Sequence, residues 1–197
     1  MTALIASPRF LASRSKALFM LGSLGTLALA ASAVPAQAAL PAGTIAPDFT
    51  LKAAQGGKAM DFSLRKSLKK GPVVLYFFPA AFTSGCTIEA HAFAEATDAF
   101  KAQHATVIGV TAGNIERVAE FSKVECRDKF AVAADPGARI AGLYKNQISF
   151  NGQTLSDRTS YVIAPDGKIV SSYTDHNPLT HIEKAMAAVK TWNASHR

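Results

Sequence analysis

The chain has 197 residues, of which 49% are hydrophobic and 18% charged, with 13 glycines, 9 prolines and 2 cysteines. This composition is too apolar for a disordered chain and too poor in cysteine for a disulfide scaffold, and the length favours one globular domain. The formal net charge of +7 would suit a nucleic acid or an anionic surface as partner, but part of that charge lies in an N-terminal leader.

Residues 1–38 have the order of parts of a secretory signal peptide. A basic start precedes an apolar run over residues 17–34, and the small-residue site Ala36-Gln37-Ala38 follows. No two arginines are adjacent in this segment, which favours export by the general route over the twin-arginine route. We therefore expect cleavage after Ala38 and an exported mature chain. The alternative is a retained anchor, because the apolar run is just long enough to cross a bilayer.

The predicted mature domain, residues 39–197, has an ordinary charge. Cleavage removes three basic residues and no acidic ones, which takes the net charge from +7 to +4. A charge of this size gives no support for nucleic-acid binding. The remaining basic cluster is typical of a solvated helix face and consists of Arg65, Lys66, Lys69 and Lys70. We expect a membrane contact only if the leader is retained.

Strand and helix signals alternate along this domain. In chain order, the predicted elements are a hairpin of residues 45–51 and 58–62, a strand over 73–78, a helix from 84 or 85 to about 103, a strand over 105–110, a helix from 114 to about 124, a helix from 135 to 144, a hairpin of 159–164 and 168–173, and a helix over 180–194. The run VVLYFF at 73–78 predicts a strand that is buried on both faces and ends at Pro79. Pro47 limits the first strand to a sheet edge.

The ends of these elements carry the residue types that turns and helix starts require. Gln55-Gly56-Gly57 and Pro165-Asp166-Gly167 have turn chemistry. Asn114 is a candidate N-cap, and Asp135 is another, followed by a proline at the first helical position. The order of elements predicts an α/β sandwich of the thioredoxin type, with a mixed central sheet flanked by helices.

Cys86 lies in the first turn of the helix that follows the buried strand. In open α/β sheets, sites gather at the carboxyl ends of strands, where a helix N-terminus supplies free N–H groups and positive potential. Such surroundings favour the thiolate, which is the nucleophilic form of cysteine. By position alone, Cys86 could equally be a small buried residue without a chemical role.

The motif around this cysteine resembles that of the peroxiredoxin family. Pro79, Thr83 and Cys86 form PxxxTxxC, and the wider segment FFPAAFTSGCTIEA is similar to the bacterioferritin-comigratory or Q-type branch. The resemblance extends from APDF near the start of the domain to SDRTSYVIAPDGKI. A thioredoxin would carry CxxC at this point, and this chain has Thr83 where the first of those cysteines would lie. A thiol:disulfide oxidoreductase is therefore the alternative rather than the main hypothesis.

The resemblance implies a thiol-dependent peroxidase that reduces hydrogen peroxide and organic hydroperoxides through a sulfenic acid on Cys86. The Thr83 hydroxyl can donate to a peroxide and accept from it. Pro79 has no N–H, so it can shield the thiolate from water without bonding to it. The family places an arginine from a distant strand over the cysteine, and the matching residue is Arg158.

The predicted topology supports the placement of Arg158 beside Cys86, and helix periodicity adds Glu89 as a candidate site residue. If residues 159–164 run antiparallel to 73–78, Arg158 faces Cys86. The alternative role for Arg158 is a salt bridge at the surface. Glu89 falls on the apolar stripe of the predicted helix, where a carboxylate needs a partner. In the family, an acid at this position holds the arginine. The alternative is a first-turn acid favoured by the helix dipole.

The resemblance departs from the family at His91. Many members of this branch carry a resolving cysteine five residues after the peroxidatic one, and His91 occupies that position, off the buried stripe. Cys126 lies near the helix end where other members place theirs, so the resemblance implies a catalytic Cys86–Cys126 disulfide. Its formation needs Cα atoms within about 7 Å, so a loop or helix end would unwind. The alternatives are a fixed structural disulfide and a mechanism that uses Cys86 alone.

No other motif predicts a metal or a cofactor. His104, His176 and His181 are far apart in sequence and give no metal-ligand pattern, and no glycine-rich phosphate loop occurs. We expect a monomer that needs no bound cofactor and takes peroxide and a thioredoxin-like electron donor as partners. A non-catalytic thioredoxin-like binding domain is the remaining alternative, which a metal titration of the reduced protein would separate from an enzyme.

Overall fold

The computed structural model describes residues 39–196, and the predicted leader over residues 1–38 lies outside them. The strands are β1 Thr50–Gln55, β2 Lys58–Ser63, β3 Val73–Ala80, β4 Thr106–Gly113, β5 Ala131–Ala134, β6 Gln147–Phe150, β7 Gln153–Ser156, β8 Thr159–Ile163 and β9 Ile169–Thr174. The helices are α1 Leu64–Leu68, α2 Ser84–Ala102, α3 Val118–Val124, α4 Arg139–Leu143 and α5 Thr180–Ser195.

Seven strands form one mixed sheet in the order β2-β1-β5-β4-β3-β8-β9. Strand β3 lies near its centre, parallel to β4 and antiparallel to β8. Strands β6 and β7 form a separate two-stranded hairpin. The predicted thioredoxin-type architecture, a mixed sheet flanked by helices, is confirmed.

Strand β3 is buried on both faces, as the run VVLYFF predicts. Its side chains alternate between two apolar clusters, because successive residues of a strand point to opposite faces. Phe77 packs on the face that α1 and α4 cover, and Tyr76 and Phe78 pack on the face of α2, α3 and α5. The strand thus holds the two halves of the core together and carries the chain to the start of α2.

Helix α2 follows β3 after a short turn. It buries one stripe against the sheet, at the spacing that one face of a helix requires. That stripe consists of Cys86, Glu89, Ala90, Phe93, Ala94, Thr97 and Phe100. Two members of the stripe, Cys86 and Glu89, carry groups that can take part in chemistry, a thiol and a carboxyl.

Among residues 39–196, no helix is long and apolar enough to span a bilayer.

Two predicted strand limits are wrong. The first strand begins at Thr50, three residues after Pro47, and lies between β2 and β5 rather than at an edge. Pro47 therefore precedes the ladder and removes no hydrogen bond from it. Strand β3 does not end at Pro79 but continues to Ala80, since β8 pairs with it only as far as Phe77 and leaves that side free of a ladder.

The two predicted N-caps act differently from expectation. Asn114 has left-handed backbone angles and makes no side-chain cap; its amide instead donates to the Ala81 carbonyl at 2.7 Å. A 3-10 turn separates it from α3, which ends at Val124 as predicted. Asp135 does bind helix N–H groups, those of Ile140 and Ala141 at 3.0 and 2.9 Å, across a kink rather than within one continuous helix.

Gly109 lies in β4 opposite Tyr76 of β3, where the two strands leave no room for a side chain. A Cβ atom on Gly109 would stand 2.8 Å from the Tyr76 hydroxyl. We expect Gly109→Ala to lower the free energy of unfolding by about 1–3 kcal/mol, because overpacking between two central strands forces a shift. Urea denaturation measures this loss. Phenylalanine at position 76 would not relieve the clash, because Cζ of the ring also lies 2.8 Å from the added Cβ atom. An unchanged stability in Gly109→Ala would contradict the packing.

Candidate active site

The site lies at the carboxyl end of β3, where the chain turns into α2. Cys86 is in the first turn of the helix and is 1% exposed. The turn is fixed by Phe82, which has a φ of 62° and carries the Arg117 guanidinium 3.7 Å from its ring centroid. The Phe82 ring also packs edge-on against Phe121 of α3. These contacts hold the turn that places Cys86 in the first turn of α2, where the backbone N–H groups have no partner within the helix.

Thr83 and Pro79 flank this turn. Thr83 is exposed and caps α2 with its backbone, while its hydroxyl donates to the Ala80 carbonyl at 3.1 Å. The hydroxyl oxygen keeps its capacity to accept a hydrogen bond from a ligand. Pro79 is half-buried within β3, and its carbonyl accepts from the Thr111 hydroxyl at 3.2 Å. The end of β3 thus fixes the positions of both Thr83 and Pro79.

Arg158 is brought to Cys86 by the antiparallel pairing of β8 with β3. Thr159 pairs with Phe77, so the residue before β8 lies level with the end of β3. Nη2 of Arg158 is 3.5 Å from Sγ of Cys86. This is the juxtaposition that the sequence predicts. A guanidinium donor stabilises a negatively charged sulfur more than a neutral one.

Gly85 leaves room for the guanidinium. A Cβ atom on this residue would stand 3.0 Å from Nη2 of Arg158. The backbone of Arg158 is fixed as well, because its N–H donates to the Asp157 carboxylate at 2.8 Å. The arginine is therefore held at its backbone and confined at its head group.

Glu89 is the partner of Arg158, as predicted. Its Oε2 accepts a hydrogen bond from Nη1 of Arg158, and the carboxyl is fully buried. Burial raises the pKa of Glu89 to about 8, although the neighbouring guanidinium acts in the opposite direction. Burial acts to lower the pKa of Arg158, but Glu89 and Cys86 outweigh it and raise that pKa. One guanidinium thus bridges a thiol and a carboxyl.

Two buried polar residues behind Glu89 were missed in the sequence. His181 of α5 lies with Nδ1 2.8 Å from the Ser160 hydroxyl and 3.9 Å from Oε1 of Glu89. The spacing of residues in β8 and in α5 carried a signal for both. Ser160 lies two residues after Arg158, on the same face of the chain, and His181 lies four and eight residues before the buried Ala185 and Val189. A helix face of Ile182, Met186 and Val189 also fits the spacing, and burying that face would place the histidine beside the core instead of in it.

Cys126 follows α3 and is buried in the same apolar cluster as Cys86. Both thiols are free. Burial, and to a lesser extent the charge of Glu125, raises the pKa of the Cys126 thiol. His91 is partly exposed, and its Nε2 lies 2.7 Å from the Glu125 carboxylate. The residue in the usual resolving position therefore contacts the residue next to the second cysteine.

The described residues hold no group of three or more His, Cys, Asp and Glu side chains that could bind a metal ion. The chemistry available at the site is that of a thiol, a guanidinium, a hydroxyl and a carboxyl. Such a set can stabilise a thiolate and bind a small polar oxidant beside it.

Comparisons with known proteins show similarity over most of the chain. The AhpC/TSA family matches residues 42–172. The chloroplastic peroxiredoxin Q of Oryza sativa subsp. japonica is 31% identical over 182 residues, covering 85% of this chain and 81% of that protein. The crystal structure of peroxidoxin BcpB from Mycobacterium tuberculosis has a TM-score of 0.69 at 27% identity and covers 77% of this chain and 97% of that one. The crystal structure of Enterococcus faecalis AhpC has a TM-score of 0.66 at 21% identity, and the match covers 81% of this chain and 96% of that one. The two proteins share the fold.

Proposed function

Because the chain belongs to the AhpC/TSA family and is a thiol-dependent peroxidase of the peroxiredoxin type, we propose that Cys86 is its peroxidatic nucleophile. Hydrogen peroxide and organic hydroperoxides are the proposed substrates. The observation that carries this proposal is the 3.5 Å contact between Nη2 of Arg158 and Sγ of Cys86 at the start of α2. No other cysteine in residues 39–196 has a guanidinium donor of this kind.

In the first step, the Cys86 thiolate gives an electron pair to one peroxide oxygen. The O–O bond breaks as the S–O bond forms, and the leaving oxygen takes a proton to become water or an alcohol. Arg158 stabilises the charge that develops on the leaving oxygen, and the Thr83 hydroxyl, whose proton is donated to the Ala80 carbonyl, accepts a hydrogen bond from the peroxide. Pro79 shields the sulfur from water. The product on the protein is a sulfenic acid.

The test is peroxide consumption by the purified, reduced domain. Without a reductant, we expect one equivalent of peroxide to be consumed per Cys86, together with the loss of one alkylatable Cys86 thiol. With a thioredoxin system, which is the proposed donor, consumption should continue with NADPH oxidation. A reduced, folded protein that leaves hydrogen peroxide and an organic hydroperoxide untouched would refute the proposal.

For the second step, we propose that Cys126 attacks the sulfenic acid. An S–S bond forms, the sulfenic oxygen leaves as water with the proton of the Cys126 thiol, and a dithiol donor later reduces the disulfide. The shared apolar cluster of the two cysteines supports this pairing. We expect the segment after α3 that carries the buried Cys126 to move so that the two sulfurs can meet in disulfide geometry.

Cys126→Ser separates the two steps. One equivalent of peroxide should lower the intact mass of the wild type by about 2 Da, through loss of two hydrogens, and raise that of the variant by about 16 Da, through gain of one oxygen. The rate of the first oxidation should not change, because Cys126 takes no part in it, while thioredoxin-dependent turnover falls. If the wild type also stops at the oxygen adduct with Cys126 free to alkylate, a mechanism that uses Cys86 alone replaces this one.

We also propose that the protein acts outside the cytosol as a monomer, after removal of residues 1–38. The basic start, apolar run and small-residue site of the leader support export. N-terminal sequencing of the protein from the producing cell should begin at Ala39, and light scattering should give the mass of one chain. A first residue at Met1 or Thr2, or retention in the membrane fraction, would favour the anchored form.

A further inference from the structure

Three ion pairs join α2 to residues 125–129, the segment that follows α3 and carries Cys126. Each pair takes one side chain from the helix and one from the segment. The pairs are His91 with Glu125 at 2.7 Å, Glu95 with Arg127 at 3.3 Å, and Asp98 with Lys129 at 3.0 Å. Positions 91, 95 and 98 lie on one face of α2, because helix residues three and four apart are neighbours. We call these three pairs the clasp, since together they attach the Cys126 segment to α2.

The bond between His91 and Glu125 is the best shielded of the three. A carboxylate only accepts, so Nε2 of His91 carries the proton of this bond, whether the ring is neutral or charged. The Glu125 side chain is 14% exposed, whereas the Glu95 and Asp98 side chains are 69% and 70% exposed. Water and salt screen a partly buried pair less than an exposed one. His91 therefore holds the residue that precedes Cys126 in the chain, and it contributes most to the clasp.

The segment is held in a strained backbone conformation. Arg127 and Asp128 are consecutive non-glycine residues with φ of 49° and 59°. Residues with a Cβ atom disfavour left-handed angles, so such a pair persists only where its surroundings hold it. Beside the clasp, Gln55 supports this turn, with Nε2 donating to the Asp128 carbonyl at 3.1 Å. When the clasp opens, the backbone can return to ordinary angles, which favours movement of the segment.

The movement of this segment decides between two fates of a sulfenic acid on Cys86. In one, the Cys126 sulfur attacks, the S–S bond forms and the sulfenic oxygen leaves as water. In the other, the Cys86 sulfur attacks a second peroxide. A second S–O bond forms, the O–O bond breaks, and the leaving oxygen takes a proton to become water or an alcohol, which leaves a sulfinic acid on the protein. Only the first fate needs the buried Cys126 to leave its place.

We propose that the clasp keeps the Cys126 segment closed and so limits the rate of disulfide formation. His91 is a positioning residue for this step, since it acts on Cys126 through Glu125. Slow opening prolongs the life of the sulfenic acid and leaves it exposed to a second peroxide. The effect on disulfide formation rests on the proposed roles of Cys86 and Cys126, whereas the restraint on the segment does not.

Alkylation of Cys126 measures the restraint without reference to peroxide. In Cys86→Ser, Cys126 is the remaining thiol of residues 39–196, and a buried thiol reacts only when its segment opens. The variant without the clasp carries His91→Ala, Glu95→Gln and Asp98→Asn. In the Cys86→Ser background, we expect this variant to raise the alkylation rate about tenfold, and His91→Ala alone to raise it about threefold. His91→Gln, whose amide N–H can still reach Glu125, should keep the rate of the background. An unchanged rate in the variant without the clasp would overturn the restraint.

Two controls separate the clasp from general effects of charge and stability. Asp61→Asn removes an exposed carboxylate whose ion pair with Lys52, at 2.8 Å, lies elsewhere on the surface, so the alkylation rate should not change. Glu95→Arg places two guanidinium groups together and should open the segment, and adding Arg127→Glu should close it again by restoring the pair with reversed charges. Urea denaturation of each variant reports global unfolding. An alkylation rate that follows global stability alone, or no rescue by the reversed pair, would overturn the clasp.

Quenched-flow oxidation of the protein with both cysteines tests the effect on the reaction. With one equivalent of peroxide, the variant without the clasp should form the disulfide about tenfold faster than the wild type. With excess peroxide, it should accumulate less of the sulfinic acid, which adds about 32 Da to the intact mass. Salt at about 0.5 M should speed disulfide formation in the wild type and leave the variant unchanged, because screening weakens exposed pairs. Faster opening without faster disulfide formation would overturn the limit that the clasp sets on the reaction.

Alkylation and oxidation together separate the clasp from the proposed function. If no variant forms a disulfide while alkylation of Cys126 still responds to the clasp, the proposed role of Cys126 is refuted and the restraint on its segment stands. If the protein consumes no peroxide at all, the peroxidatic role of Cys86 fails and the restraint again stands. If the disulfide forms at one rate in the wild type and in the variant, the roles of both cysteines stand and the clasp has no part in the reaction.

Discussion

Replacing Cys86 with serine is expected to abolish peroxide reduction, lowering the rate by at least about a thousandfold. The hydroxyl of serine stays protonated near neutral pH, so no nucleophile remains to attack the O–O bond. The side chain is nearly isosteric and still lies beside the Arg158 guanidinium, so the fold should be retained. Stopped-flow measurement of peroxide consumption gives the rate, and circular dichroism with thermal unfolding reports the fold.

Cys126→Ser is the matched control for this experiment, since it removes the other thiol of residues 39–196 from the same apolar cluster. Its first oxidation should proceed at the wild-type rate. An appreciable peroxidase rate in a folded Cys86→Ser protein would show that the nucleophile lies elsewhere, and the assignment of the site would fail.

Arg158→Lys should slow the oxidation of Cys86 by at least tenfold, which corresponds to about 1.4 kcal/mol of transition-state stabilisation. The guanidinium contacts Sγ of Cys86 with Nη2 and Glu89 with Nη1. A lysine ammonium is a point charge and cannot present two parallel donors to both partners. The second-order rate constant with hydrogen peroxide, measured on the reduced protein, reports the loss.

The control for this substitution is Arg65→Lys on α1, an exposed arginine whose ion pair with Asp48 lies at the surface. Exposed pairs of this kind contribute little, so both rate and stability should stay at wild-type values. If Arg158→Lys reacts as fast as this control, Arg158 has no part in the attack on peroxide and serves the fold alone.

Long elements with a strong hydrophobic pattern could be predicted from the sequence. Strand β3, helices α2 and α5, and the hairpin of β8 and β9 lie within a few residues of their predicted limits. Strand β5 could not be predicted, because the four residues AVAA carry little β-preference and are held as a strand by their neighbours β1 and β4. The hairpin of β6 and β7 was missed because its strands are short and mostly polar.

The same contrast holds for the site. The PxxxTxxC motif, the stripe of α2 and the pairing of β3 with β8 together predict that Cys86, Glu89 and Arg158 meet. The position of His181 depends on how α5 is rotated against β8, and tertiary packing rather than local pattern sets that rotation. The bend at Ala138, with a φ of 54°, likewise could not be predicted, because alanine rarely adopts left-handed backbone angles.

The pairing of β3 with β8 also determines when the site can first exist during folding. Cys86 and Arg158 are 72 residues apart in the chain, so closing that loop costs entropy before their contact returns any free energy. Contacts of such sequence separation form late and slow the folding of sheets that depend on them. A nascent chain that has not reached β8 therefore contains the whole PxxxTxxC motif but lacks its arginine. The reactive site becomes complete only as the sheet closes around β3.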